Sequence, residues 1–184
     1  MKGIVFTAFF DLVEEKFSLE LLDKIIEEAK LPSGGAYASA GTYPHEELVA
    51  VVLGLSRETG IPVPDLLRTF GQHLADVFSK KFADFFTAHK EPLDFLAGVD
   101  GYVHVEVRKL YSEAELPRFF CERPNTDTLI MDYVSGRHFE DVAQGLIEGV
   151  LKHYGCTASI TRGPSPTHLG KDAVRFTIVL TPRS

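Results

Sequence analysis

Apolar residues recur every three or four positions through the first two thirds of the chain, the period of a helix with one buried face. Residues 2–16 are apolar with polar breaks and predict a first helix. Ser18 is a candidate N-cap for a second, with Leu19, Leu22, Ile25 and Ile26 on one face. Leu31-Pro32-Ser33-Gly34-Gly35 ends it with residues that favour turns. Pro44 opens a third helix, where its fixed φ suits the first turn and Glu46 and Glu47 suit the positive end of the dipole. Leu48, Val51, Val52 and Leu55 form its buried stripe, and Gly60 is placed to cap it. Pro64 opens a fourth, with Leu66, Leu67, Phe70, Leu74, Val77 and Phe78 at helical spacing. Pro92 opens a fifth, which runs to about Tyr111 and buries Leu93, Leu96, Val103, Val107 and Leu110.

In the last third the period shortens. Residues 129–134 and 173–180 are rich in β-branched and aromatic residues and predict strands. Residues 157–162 and 118–122 are shorter strand candidates. Between them Phe139 to Tyr154 reads as one helix with Val142, Leu146, Val150 and Leu151 inward, stopped by Gly155. The loop 163–170 joins the last two strands as a long hairpin. Helices followed by strand–strand–helix–strand–strand argue for an α+β fold with a small antiparallel sheet.

Composition narrows the class of protein. The chain has 184 residues, enough for one large domain or two small lobes sharing a core. Its 19 Lys and Arg against 26 Asp and Glu give a net charge of -7, without the basic excess of a nucleic-acid binder. Two cysteines, Cys121 and Cys156, form neither a disulfide framework nor a four-cysteine zinc site, and a reducing cytoplasm is the expected compartment. The apolar run at the N-terminus is broken by Asp11, Glu14, Glu15 and Lys16, too soon for a membrane span or a signal peptide.

Phosphate-loop, dinucleotide, HExxH and GxSxG sequences are missing from the chain. His45, His89, His138, His153 and His168 stand near element ends or in loops, where a solvated ring is the default. His104 differs: with Asp100, Val107 and Tyr111 it forms a polar ring at the edge of an apolar stripe. It reads either as a core histidine bonded to a carbonyl or as a neutral imidazole offered to a metal in an apolar cavity. His73 ranks behind it, because its neighbour Leu74 lies on the stripe of its own helix. On a strand, Tyr133, Ser135 and Arg137 point to one side, and two hydroxyls with a guanidinium suit a carboxylate. Two rival classes remain at this level: a small enzyme using His104 with Asp100 as general base, and an interaction module without a cofactor. Against the enzyme, no nucleophile or oxyanion motif accompanies the pair.

Taken together, Val103-His104-Val105-Glu106-Val107, then Glu115-Leu116-Pro117, then Tyr-x-Ser-x-Arg at 133–137, resemble the H-NOX (haem-nitric oxide/oxygen binding) family. Met1-Lys2-Gly3-Ile4-Val5-Phe6 and Phe70-Gly71-Gln72 match as well, so the resemblance spans essentially the whole chain. It implies one domain that holds haem b (iron protoporphyrin IX) between a helical N-terminal lobe, 1–62, and an α/β C-terminal lobe, 63–184. By position His104 becomes the axial iron ligand. Tyr133, Ser135 and Arg137 become the propionate site, and Pro117 the residue that distorts the macrocycle. Val5, Phe9, Leu74, Phe78 and Leu146 become the haem pocket; Phe9, Leu74, Phe78 and Val142 line its distal gas side. The family's oxygen binders carry a distal tyrosine donor where this chain has Val142. The implied function is therefore a bacterial-type, stand-alone sensor of nitric oxide that also takes CO but not O2. It would signal through a separate histidine kinase or diguanylate cyclase, with no nucleic acid and no membrane insertion. The segment from Phe78 to His104 is slightly longer than in some relatives. The cysteine/histidine zinc cluster of others is not expected after Arg137.

Overall fold

The computed structural model describes residues 1–112, 114–166, 169–170 and 172–182, the side chain of Leu110 excepted. Thr167 and His168 of the expected hairpin loop lie outside these residues. The helical part comprises α1 (Gly3–Lys16), α2 (Leu19–Ala29), α3 (His45–Thr59) and α4 (Val63–Lys81). The expected stops hold: the Ser18 hydroxyl accepts the Leu21 N–H at 3.1 Å, and Gly60 caps α3 with φ 73°. Leu22 and Ile25 of α2 are buried, but Leu19 is 48% exposed, because at the first turn its stripe runs past the end of the core. A short α5 (Ala83–Thr87) follows, five residues and too few to show a period in the sequence.

The expected unbroken helix from Pro92 is three segments. These are α6 (Pro92–Gly98), a π turn (Val99–Val103) and α7 (His104–Leu110). Hydrophobic spacing does not separate i→i−4 from i→i−5 bonding over one turn. Leu93 and Leu96 are buried as expected, whereas Val103 and Val107 are only half-buried because the wider turn rotates them off the stripe.

Four strands, β1 (Arg118–Asn125), β2 (Thr128–Val134), β3 (Ala158–Pro164) and β4 (Ala173–Leu180), form an antiparallel sheet in the order β1-β2-β4-β3. The helix α8 (Glu140–His153) connects β2 to β3. Alternation along the strands turns Leu129, Met131, Tyr133, Phe176 and Ile178 to the helices. On the other side buried Asp132 receives both arms of Arg175 at 2.8 Å and the Ser165 hydroxyl at 2.7 Å, so its charge is paired.

Two apolar clusters result. One is built from α1, α2, α3 and α4, with Phe6, Phe9, Leu48, Leu55 and Phe70 at its centre. The other joins α6 to the sheet. The helix α8 serves both, giving Val142 and Leu146 to the first and Ala143, Ile147, Val150 and Leu151 to the second. It lies so close to α4 that a Cβ on Gly145 would strike the Arg68 carbonyl, and one on Gly71 the Val142 carbonyl. Glu148 ties the same pair of helices by accepting from Arg68, Gln72 and Gln144.

Gly145→Ala is therefore expected to force the two helices apart at a cost of about 1–3 kcal/mol. Urea midpoints should fall accordingly, whereas Gly163→Ala, whose Cβ meets nothing within 4 Å, should leave the midpoint unchanged.

Candidate functional site

The π turn delivers His104 to the interior. Its N–H bonds back to the Val99 carbonyl, and its side chain faces inward with the residue only 9% exposed. The ring lies 5.7 Å from Phe119, which in turn is 5.6 Å from Tyr133. Nδ1 meets Asp100 Oδ1 at 3.3 Å. Burial holds the imidazole below its usual value, while Asp100 and the Pro117 carbonyl pull the other way. The result is a desolvated ring that is neutral near pH 7, oriented through one nitrogen by a carboxylate, as metal-binding histidines are. Pro117 is thereby placed beside it.

The second constellation departs from the expected strand. Tyr133 is buried on β2, but β2 ends at Val134, so Ser135 and Arg137 sit in a turn. The Ser135 hydroxyl accepts the Arg137 N–H at 3.2 Å, which folds the chain back and replaces strand alternation as the reason the three residues group. Burial pushes the Tyr133 phenol up, and hydrogen bonding to Ser135 opposes it. The Arg137 guanidinium donates to the Glu115 carbonyl at 2.9 Å and to its carboxylate at 2.5 Å. The carboxylate that Arg137 holds comes from the loop between α7 and β1. Glu115 was legible only as the residue two before Pro117. Arg137 and Glu115 open onto a cavity of about 640 Å³ that Lys2, Thr42, Tyr43 and Pro44 also line.

The rim of that cavity is fixed from below. Buried Glu47 of α3 accepts the Ser33 N–H at 3.4 Å, the Ser33 hydroxyl, and the Tyr37 hydroxyl at 2.8 Å. Tyr37 stacks on Phe6 at 4.3 Å and meets Tyr43 edge-on at 4.7 Å.

Among the apolar wall residues, Phe9, Leu74 and Val142 are buried in the first cluster; Val5, Phe78 and Leu146 are half-buried against it. Phe78 packs against the second cluster too, so it lies where the clusters meet. His73 Nε2 is buried without a hydrogen-bond partner. Of the histidines expected in solvent, His138 and His153 are exposed. His45 is half-buried and 3.2 Å from Glu46; His89 is half-buried with Nδ1 3.4 Å from the Phe85 carbonyl, since α5 packs over it.

A family model described as haem-NO-binding matches residues 2–162. The fold is similar to the unliganded Fe(II) H-NOX protein from K. algicida, with a TM-score of 0.92 and 37% identity over 100% of this chain and 98% of that one. It is similar to the IWP-051-bound H-NOX from Shewanella woodyi in the Fe(II)CO state, with a TM-score of 0.84 and 36% identity over 100% and 96%. An H-NOX protein from S. oneidensis in the Fe(II)NO state gives 0.90 and 27% over 99% and 100%. No curated protein matches the chain. The chain belongs to the haem-NO-binding (H-NOX) family. It is a haem-binding gas-sensor domain and not in itself an enzyme, which sets aside the general-base reading of Asp100 and His104. The donor set fits the cofactor: a neutral imidazole for iron, a guanidinium and hydroxyls for carboxylates, and apolar side chains in the first cluster. No helix among the described residues is long and apolar enough to cross a membrane.

Burial raises the Tyr37 phenol from its ordinary 10.0 to about 12. In the unfolded chain it ionises first, so stability from this group is whole below pH 10 and is lost as pH rises towards about 12. Denaturation midpoints across that window should drop less steeply in Tyr37→Phe than in the native chain.

Proposed function

We propose that this domain senses nitric oxide at ferrous haem b, with His104 as the protein's ligand to iron, and signals through a separate protein. The observation that carries this is the desolvated His104 imidazole, at the start of α7, held through Nδ1 by Asp100 of the π turn before it. Ferrous haem would supply an iron that takes a diatomic gas on the face opposite His104. Tyr133, Ser135 and Arg137 hold the propionates, and Arg137 exchanges the Glu115 carboxylate for theirs. Pro117, beside His104, would be the side chain that bears on the macrocycle.

Selectivity follows from the opposite wall. Val5, Phe9, Leu74, Phe78, Leu146 and Val142 offer no side-chain donor. NO and CO bind ferrous iron without one, whereas O2 needs a distal donor to persist. The relatives held in Fe(II)NO and Fe(II)CO states support the first half of this reading. His104 would be the group whose hold on the iron differs between the gas-free and the gas-bound domain. The lobes 1–62 and 63–184 then settle into a second arrangement, with the different NO affinity that any switch requires. A histidine kinase or a diguanylate cyclase in the cytoplasm reads that arrangement.

His104→Gly is expected to lose tight haem binding and to recover it with free imidazole, followed by the haem absorption band. An unchanged band in the variant would transfer the ligand role to another residue, His73 first. The reduced native protein, exposed to air, is expected to keep its deoxy spectrum and oxidise slowly. A long-lived oxygen complex would sink the proposed selectivity. Val142→Tyr should lengthen the life of such a complex by placing a phenol on the distal wall.

A further inference from the structure

An imidazole offers iron one of its two nitrogens. In His104, Nδ1 faces Asp100 Oδ1 at 3.3 Å, which leaves Nε2 for a metal. A neutral ring bound through Nε2 keeps a single N–H, on Nδ1. The acceptor of that N–H decides how much electron density the ring can give away. Two acceptors face the ring, the Asp100 carboxylate and the Pro117 carbonyl, and of these only Asp100 adds a negative charge.

The π turn carries Asp100 and is anchored on two sides. Tyr102 meets Phe85 edge-on at 5.6 Å and His89 at 5.9 Å, while Val99 and Val103 pack against the cluster that joins α6 to the sheet. The carboxylate is thus held against the ring by packing. Its side chain is 24% exposed and that of His104 11%, so water competes poorly for the bond between them. Other carboxylates are claimed by arginines: Asp132 by Arg175, Glu115 by Arg137 and Glu148 by Arg68. Among the described residues no lysine or arginine pairs with Asp100, so its charge reaches the imidazole uncancelled.

We propose that Asp100 is the positioning residue that sets the strength of the bond between His104 and iron, and with it the sensitivity of the domain. Its carboxylate draws on the Nδ1 proton and makes Nε2 a stronger donor than a ring bonded to a neutral carbonyl. A stronger donor favours ferric over ferrous iron and slows the loss of haem. The firmer this bond, the more of a gas ligand's binding free energy is needed to change it. Asp100 does this without touching haem or gas. The proposal rests on the assignment of His104 as iron ligand.

The test compares the haem-loaded native chain with Asp100→Asn and Asp100→Ala. Three quantities are read: the ferrous iron–histidine band by resonance Raman, the midpoint of the ferric/ferrous couple, and the rate at which haem passes to an excess of haem-free myoglobin. Asp100→Asn keeps the size and an acceptor oxygen but removes the charge. Its band should move to lower frequency, its midpoint should rise, and its haem should be lost about tenfold faster or more. Asp100→Ala should move all three further in the same direction; if it does not fold, the isosteric Asn variant decides. A merely structural role would instead lower the urea midpoint of the haem-free chain and leave the band and the couple in place, which overturns the proposal. A band at the native frequency in the variants overturns it too. A native ferrous protein without the band overturns the His104 assignment itself.

Discussion

The close approach of α4 and α8 is the constraint on which the remaining arrangement depends. The two helices meet backbone to backbone because Gly71, Gly145 and Gly149 put no side chain between them. That contact lets α8 present opposite faces to two apolar clusters at once. It also sets Leu74 and Phe78 of one helix near Val142 and Leu146 of the other, so the apolar surface they share is a by-product of helix packing. Separating the helices by a methyl group alters both clusters and that shared surface together.

The two polar constellations share a second principle. A charge or imidazole removed from water must be given a partner. His104 has Asp100, Arg137 has Glu115, and Asp132 has Arg175. The Asp132 pair spans adjacent strands and is buried on the acid's side, so it acts as a structural tie. The Arg137 pair differs: Glu115 is 85% exposed in its side chain and belongs to a loop, so water and a second carboxylate compete for the guanidinium at little cost. One residue type thus serves as a rivet at 175 and as an exchangeable grip at 137.

Much of this was legible in the sequence, and for identifiable reasons. Ser18, Pro44 and Gly60 marked helix ends because caps and φ preferences are local. The apolar stripes named the cluster residues because burial follows period. His104 stood out as a polar residue on such a stripe. Three features were not legible. The π turn differs from α-helix by one bond register, which a spacing count does not resolve. The grouping of Ser135 and Arg137 comes from a turn closed by the serine's own hydroxyl, where alternation predicted a strand. The partnership of Arg137 with Glu115 crosses 22 residues and depends on where two loops meet, information that only the assembled fold contains.

The buried carboxylate of Glu47 carries a consequence for how this chain can be altered over evolutionary time. Three donors from Ser33 and Tyr37 converge on it, so the irregular stretch after α2 is measured off against α3 at a set number of residues. Loops as a rule absorb changes of length. Between Ser33 and Tyr37 this one does not, since one added or lost residue would leave a buried carboxyl group without its donors. Insertions that spare the fold belong instead at places such as Asn125-Thr126-Asp127, the exposed turn between β1 and β2.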